Sequence, residues 1–406
     1  MNNQQSQPGV DLVQPGVDLE EGRQVSEVAA DIAIVGGGIA GCWLLRLLSN
    51  SGYRVILFEQ EELGCDQTLA SQGMIHGGLK YALGGTLNGS SEAIAGMPRR
   101  WRRCLAGDDD VDLQGLPLLA DTYHMFAQRS TLGRLTTFFA SKALRGRVSR
   151  LDSEQWPSEF TGFNGVVYDL NDFVVDVPAL LSHLVSGLEH CTYRQRIDAN
   201  NLMATPNGYQ VKAGDTTYNV GTLVSCAGNG SRELINTLGL NDLQTQSRPL
   251  KQVVVRPKHG VKLNAHCVTG VTSNEPRLTI TSYGQGTDLV WYVGGLLATT
   301  GVDRSDAEQI AFARRELAHC VPWLDWTGAD YSTLDVDRAE PYQGGGVRPD
   351  EAYVTKIGNF IQCFPTKLTL APDLGDRVLS ELPPASTNLP SLPPNQQTVD
   401  VGHFRW

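Results

Sequence analysis

The sequence lacks any hydrophobic run long enough to span a bilayer, and its opening residues, MNNQQSQPGVDL, lack the charged n-region and apolar h-region of a signal peptide. It has no CxxC pair and no cluster at metal-ligand spacing. Its eight cysteines (42, 65, 104, 191, 226, 267, 320 and 363) are scattered, which reads as reduced, mostly buried thiols and predicts no metal site. A cationic excess is missing too: 33 Lys and Arg stand against 44 Asp and Glu, a formal charge of −11. That balance argues against a nucleic-acid partner and leaves small-molecule substrates open. With 41% hydrophobic and 19% charged residues, the chain has globular composition, and its 406 residues exceed what one simple core usually holds. Two domains and a cytoplasmic, water-soluble enzyme are therefore expected.

Both ends read as tails. Residues 1–30 are polar and carry a short duplication, QPGVDL at 7–12 and 14–19; two copies are too few for a solenoid. Residues 383–406 begin with a proline-rich stretch that predicts extended, mostly unstructured chain, although VGHFRW at its end is apolar enough to dock. Between the tails the pattern alternates. DIAIV (31–35) is a buried-strand run, AGCWLLRLLSNSG a helix ending at Gly52, and RVILFE (54–59) the next strand, which together make a βαβ unit. TLVSCAG (222–228) and the stretch after Asn359 each repeat the strand-to-helix passage, while 208–220 and 286–301 look β-rich. The fold class predicted is α/β: a Rossmann-like, doubly wound parallel sheet assembled from 31–85, 166–245 and 331–382, with an inserted α+β substrate domain from 86–165 and 246–330.

Gly36, Gly38 and Gly41, with Ile39 and Ala40 between them, fit G-x-G-x-x-G directly after a strand and opening a helix. Such glycines permit a tight turn, backbone approach to a pyrophosphate and close strand–helix packing. Glu59 ends the next strand, where a carboxylate accepts hydrogen bonds from ribose hydroxyls. The alternative is a merely glycine-rich turn, but strand, helix and acid together favour a dinucleotide. An acid there suits FAD or NAD and repels the 2′-phosphate of NADP. The loop that follows, GCDQTLASQGMIHGG, is built from small residues and suits a flavin lying against its backbone.

Four separated stretches carry a family resemblance: DIAIVGGGIAG with Glu59, HGGLKY (76–81), GGVRP (345–349) and TKLTLAPDLGDRVL (366–379). Over roughly residues 31–380 the chain resembles the FAD-dependent oxidoreductases of the D-amino-acid-oxidase/glycerol-3-phosphate-dehydrogenase type. The last three stretches are similar to the H-G-G-L-R-Y, G-V-R-P and K-L-T segments of FAD-linked glycerol-3-phosphate dehydrogenases. Lys80 stands where that pattern has arginine, and CFPT precedes the K-L-T segment in place of a glycine pair. The resemblance implies FAD as cofactor. Gln60, the loop Ser71, Gln72, Gly73 and Met74, Ala227 and Gly228 of VSCAGNGS, and Thr366, Lys367, Leu368 and Thr369 are then expected beside it.

It also implies the reaction: hydride leaves a substrate C–H for flavin N5 while a base takes the heteroatom proton. The substrate expected is a small anionic hydroxy compound, a 2-hydroxy acid or one like glycerol 3-phosphate. The rivals are an amine or amino-acid oxidase, including one acting on a modified macromolecule, and a flavin-binding subunit that needs a partner. His76 is the candidate base; its alternatives are a histidine that only bonds its own loop and a covalent flavin tether. Arg348 and Lys80 are candidates for binding a substrate anion, with an ion pair or an exposed surface charge as the plain reading. Lys367 would stabilise negative charge on the reduced flavin. Oxygen, a quinone or a protein stays open as electron acceptor. The basic, partly apolar segment 131–150 reads either as peripheral contact with an anionic membrane or as a solvated helix face.

Overall fold

The computed structural model describes residues 26–78, 90–128, 148–268, 275–343 and 351–387, positions 389, 392 and 395, and residues 397–406. The first unit is β1 (Ser26–Val35), α1 (Ile39–Asn50) and β2 (Val55–Glu59). The short β3 (Met74–Ile75) and α2 (Ser90–Ala106) follow. Next come β4 (Leu118–Ala120), β5 (Tyr123–Gln128), β6 (Val148–Leu151), β7 (Gly165–Leu170) and β8 (Phe173–Val175). α3 (Val177–Val185) leads to β9 (Thr192–Arg194), β10 (Leu202–Thr205), β11 (Gly208–Ala213), β12 (Thr216–Ser225) and α4 (Ser231–Thr237). The run β13 (Thr245–Arg256), β14 (Ala265–Cys267), β15 (Leu278–Tyr283) and β16 (Val290–Gly294) precedes α5 (Leu296–Thr299) and α6 (Asp306–Cys320). β17 (Asp330–Pro341), β18 (Tyr353–Ile357), β19 (Phe360–Phe364) and α7 (Ala371–Glu381) complete it.

Two eight-stranded sheets carry the fold. In the first, β19, β12, β1, β2 and β9 run parallel, and β11 pairs antiparallel along the early half of β12. Its strands are apolar on both faces, as a parallel sheet covered on both sides requires. Ile32, Ile34, Leu57, Val224 and Ile361 point to a core shared with α1, α3 and α7. Their neighbours Ala33, Val35, Phe58, Leu223 and Phe360 point to a second core beneath α4. The register of two residues per repeat thus sends alternate side chains to opposite cores. α1 is buried almost all round, from Ile39 to Leu48.

The second sheet has the order β17-β13-β16-β15-β14-β5-β7-β6 and is antiparallel except at β14–β5. Trp291 and Val293 face a core with Leu317 and Cys320 of α6. Tyr292, between them, faces the other side with Tyr283 and Val254. A small sheet, β3-β8-β4, shares a core with β5 and β7 through Met74 and Val174.

The parallel α/β architecture follows the expectation, and several boundaries do not. Residues 26–30, assigned above to a tail, extend β1 by pairing with 216–220 of β12. β7, expected in the nucleotide-binding half from residue 166, pairs with β5 in the second sheet. β17, expected there from 331, forms a twelve-residue ladder with β13. Its alternating polar and apolar residues suit a sheet with unlike faces, and pairing register is invisible in chain order. α2, expected in the inserted domain, instead packs Trp101 on Trp43 of α1, ring centroids 5.0 Å apart. VGHFRW (401–406), read above as apolar enough to dock, makes the backbone and ring contacts described below. Of the basic segment 131–150, residues 131–147 lie outside the described residues, and Val148–Arg150 belong to a strand, not a helix. Among the described residues no helix is long and apolar enough to cross a membrane.

Candidate functional site

A cleft of about 360 Å³ opens where Val35, Glu59, Cys226 and Phe364 end or follow their parallel strands. Ligands of open α/β sheets bind at such carboxyl ends, where the strand order reverses. Gly36 holds φ +106°, and a Cβ on it would lie 2.5 Å from the Cys226 carbonyl oxygen. A Cβ on Gly41 would overlap the Gly36 carbonyl oxygen. Both positions therefore require glycine. α1 starts at Ile39 with Gly38 as its cap, with no capping side chain and no acid in its first turn. Its positive end is left for an anion in the cleft. The Ile39 amide donates to Thr68 Oγ1 at 3.0 Å. The Glu59 carboxylate is fixed from two sides: Oε2 accepts from the Gly37 amide at 2.6 Å, and Oε1 from the Glu61 amide at 3.0 Å. Each oxygen retains a lone pair for a ribose hydroxyl.

Most of the expected residues meet here. Gly36, Gly38, Ile39 and Ala40 line the cleft together with Glu59 and Gln60. So do Ser71, Gln72, Gly73, Met74 and His76 of the small-residue loop, and Ala227 and Gly228 after β12. Thr366, Lys367 and Leu368 line it after β19. Gly41 and Thr369 do not face the cleft, and each supports a residue that does. Lys80 and Arg348 lie outside the described residues.

His76 is 5% exposed. Thr369 grips its backbone: the His76 amide donates to Thr369 Oγ1 at 3.3 Å, and that hydroxyl donates to the His76 carbonyl at 3.2 Å. Thr369 is anchored in turn, since Trp101 Nε1 donates to its carbonyl at 2.9 Å. The ring is oriented by the Gly78 amide, which donates to His76 Nδ1 at 3.2 Å. Nδ1 is thus an acceptor, and in a neutral imidazole so oriented the proton belongs on Nε2. The Gly77 amide donates to the buried Asp172 carboxylate at 2.8 Å. The glycines beside His76 serve these close backbone contacts.

Gln72 crosses from the loop to the second sheet, where its Nε2 donates to Thr279 O (3.0 Å) and Tyr292 O (2.8 Å). Thr366 has φ +58°, the sole non-glycine positive φ among the described residues, in a tight turn closed by the Lys367 amide to Pro365 O at 2.6 Å. A β-branched residue in that region is strained, and its hydroxyl holds it by donating to Glu351 O at 2.9 Å. Lys367 caps a single 3-10 turn before α7, and it is 7% exposed. Cys226 and Cys363, on adjacent strand ends, hold their sulfurs 3.4 Å apart. That contact and burial push the Cys226 thiol well up, opposite to a reactive thiolate.

Other lining residues went unnoticed in the sequence. Thr68 and Gln67 sit in the loop after β2; Gln67 accepts from the Ala339 amide at 3.0 Å. Both lie within the GCDQTLASQGMIHGG stretch read above as the flavin loop, but were not singled out in it. Gln252 of β13 and Arg338 of β17 reach the cleft through sheet pairing alone, which no local pattern reveals.

Comparison with known proteins bears on this geometry. A family model described as FAD dependent oxidoreductase matches residues 31–363. A probable FAD-dependent oxidoreductase of Pseudomonas aeruginosa, PA4991, is 42% identical over 387 residues, covering 90% of this chain and 95% of that protein. Its crystal structure superposes with a TM-score of 0.77 at 36% identity, covering 94% of this chain and 98% of the other. Glycine oxidase from Geobacillus kaustophilus has a TM-score of 0.61 at 17% identity, with coverage of 89% and 97%. L-alpha-glycerophosphate oxidase from Mycoplasma pneumoniae, solved with FAD bound, has a TM-score of 0.62 at 16% identity, with coverage of 92% and 99%.

Proposed function

The chain belongs to the family of FAD-dependent oxidoreductases, and from that premise we propose that its substrate is a small amine or amino acid, losing hydride from the carbon bonded to nitrogen. The residues fit the cofactor. The glycines leave the room that a Cβ would fill, the uncapped start of α1 suits a pyrophosphate, and Glu59 is held for a ribose. When bound, FAD supplies the hydride acceptor. What this chain adds is orientation, charge and proton control.

The observation that carries the amine reading is the bond from the Gly78 amide to His76 Nδ1. An alcohol needs its hydroxyl proton taken as hydride leaves. A neutral amine carries a lone pair and needs no protein base. His76, with its proton on Nε2, is a hydrogen-bond donor toward its surroundings; to act as a base it must first exchange tautomers and give up the Gly78 bond. Thr369 and Trp101 keep the ring where that donor is useful. Lys367 brings a cation to a buried wall of the cleft and suits a substrate carboxylate or developing negative charge. Glycine oxidase among the structural neighbours is in keeping with this reading.

A second reading, oxidation of an anionic hydroxy compound, has its own support in the HGGLKY stretch and the glycerophosphate oxidase neighbour. Anaerobic titration of the flavin-loaded protein separates the two. Bleaching of the visible flavin band by amines or amino acids is expected, with 2-hydroxy acids and glycerol 3-phosphate inert. Bleaching by the hydroxy compounds alone would overturn the amine assignment.

A further inference from the structure

The cleft wall from Gly64 to Ser71 is a loop of turns, and seven of its eight residues face the ligand space. Such a wall has little secondary structure of its own to hold it. Residues 400–406 supply that hold at two places. At the near end, Val401 forms a parallel bridge with Leu63: the Leu63 amide donates to Asp400 O at 2.9 Å, and the Gly402 amide to Leu63 O at 3.0 Å. A Cβ on Gly402 would come within 2.9 Å of the Leu69 side chain, so the segment lies close on the loop.

At the far end the chain turns onto the second sheet. Trp406 stacks on Tyr292, with centroids 4.6 Å apart at 28°, and on Phe404 at 4.5 Å and 21°. Phe404 meets Tyr283 edge-on at 4.9 Å. Both tyrosines then reach back to the same loop: Tyr292 donates its hydroxyl to Ala70 O at 2.7 Å, and Tyr283 to Ser71 O at 3.4 Å. The Tyr292 carbonyl accepts from Gln72 Nε2, so this one residue holds the loop by both backbone and side chain.

We propose that Trp406 is a positioning residue for the cofactor: stacked on Tyr292, it fixes the backbone of Ala70–Gln72 and so governs how tightly FAD is retained. It touches no reacting atom. Its effect runs through the Tyr292 ring and the hydroxyl bond to Ala70. A preordered wall binds its ligand without spending affinity on ordering a loop, which is where the benefit arises. The inference depends on FAD being the cofactor and is independent of the substrate reading.

The test titrates FAD into apoprotein, following quenching of flavin fluorescence, for Trp406→Ala, Trp406→Phe and Tyr292→Phe, with apoprotein unfolding measured in parallel. Tyr292→Phe keeps the ring and removes a single hydroxyl. It should weaken FAD binding about fivefold, the scale of one lost hydrogen bond, with the apoprotein still folded and its midpoint lowered only slightly. Trp406→Ala should weaken it about tenfold, in keeping with a lost aromatic pair, and Trp406→Phe should restore most of the affinity. Combining Trp406→Ala with Tyr292→Phe should give less than the product of the two effects, because they share one path. Wild-type FAD affinity in Tyr292→Phe overturns the proposal, even where Trp406→Ala fails to fold. So does a loss of affinity in Trp406→Ala that tracks apoprotein stability and is not rescued by phenylalanine.

Discussion

The two eight-stranded sheets both line the cleft and are built by different means. The first is parallel across β19, β12, β1, β2 and β9, apolar there on both faces, and its parallel strands lead into the cleft at Val35, Glu59, Cys226 and Phe364. The second is antiparallel, with Trp291 turned to its own core and Tyr292 turned to the loop of the first. In the first sheet chemistry sits where the chain leaves a strand, so it is written in consecutive residues such as Gly36–Gly41. In the second the lining residues stand on the faces of strands, so Gln252 and Arg338 share the cleft only because β13 and β17 pair. One sheet carries a motif, and the other carries a surface.

The contrast can be broken by substitutions of graded effect. The largest is expected at Gly36→Val, where a branched side chain meets both a positive φ and the Cys226 carbonyl. The protein should purify without bound flavin, and a normal flavin spectrum in that variant would remove the glycine loop from the cofactor site. Next is Trp291→Ala in the second sheet, a fully buried ring whose loss should cost about 3–5 kcal/mol in denaturant titration. Loss of flavin without loss of stability there would mean the two sheets are less separable than their cores suggest. Gln72→Leu removes the two bonds tying the loop to β15 and β16. It should cost about 2 kcal/mol at most, and show in the flavin spectrum before it shows in unfolding.

The smallest effect is expected at the Arg277–Glu316 pair, which pins α6 to the start of β15. The hydrogen-bonded guanidinium holds the Glu316 carboxyl below its usual range, against the opposing pull of burial. A depressed folded value means the pair stabilises the protein above the unfolded glutamate's titration, and that stabilisation disappears as pH falls through the folded value. Glu316→Gln should therefore lower stability at neutral pH by under about 1 kcal/mol and flatten the acid limb of the stability–pH curve. An unchanged acid limb would leave the pair without a part in stability.

Legibility followed the same divide. The βαβ unit, the glycine loop, Glu59 and the small-residue loop through His76 were readable because each rests on local spacing. α1 and β2 fall within a residue or two of expectation. β7 and β17 were placed with the wrong sheet because only register decides their partners. His76 was marked as a candidate base, yet the state of its ring depends on the Gly78 amide, whose direction the letters H-G-G do not encode. VGHFRW was readable as a docking segment, but not where it docks, because its partners Leu63, Tyr283 and Tyr292 lie more than a hundred residues away.

The pairing of β1 with β12 has a consequence for how this protein is made. Ser26 and Thr216 bond side by side across 190 residues, and β19, which completes the cleft, comes about 140 later still. A growing chain displays its nucleotide motif first and can use it last. FAD can only reward a nearly finished polypeptide, by mass action on the native state, and cannot nucleate the early steps. A shortage of cofactor during synthesis should then leave complete but empty molecules, not truncated or half-folded ones.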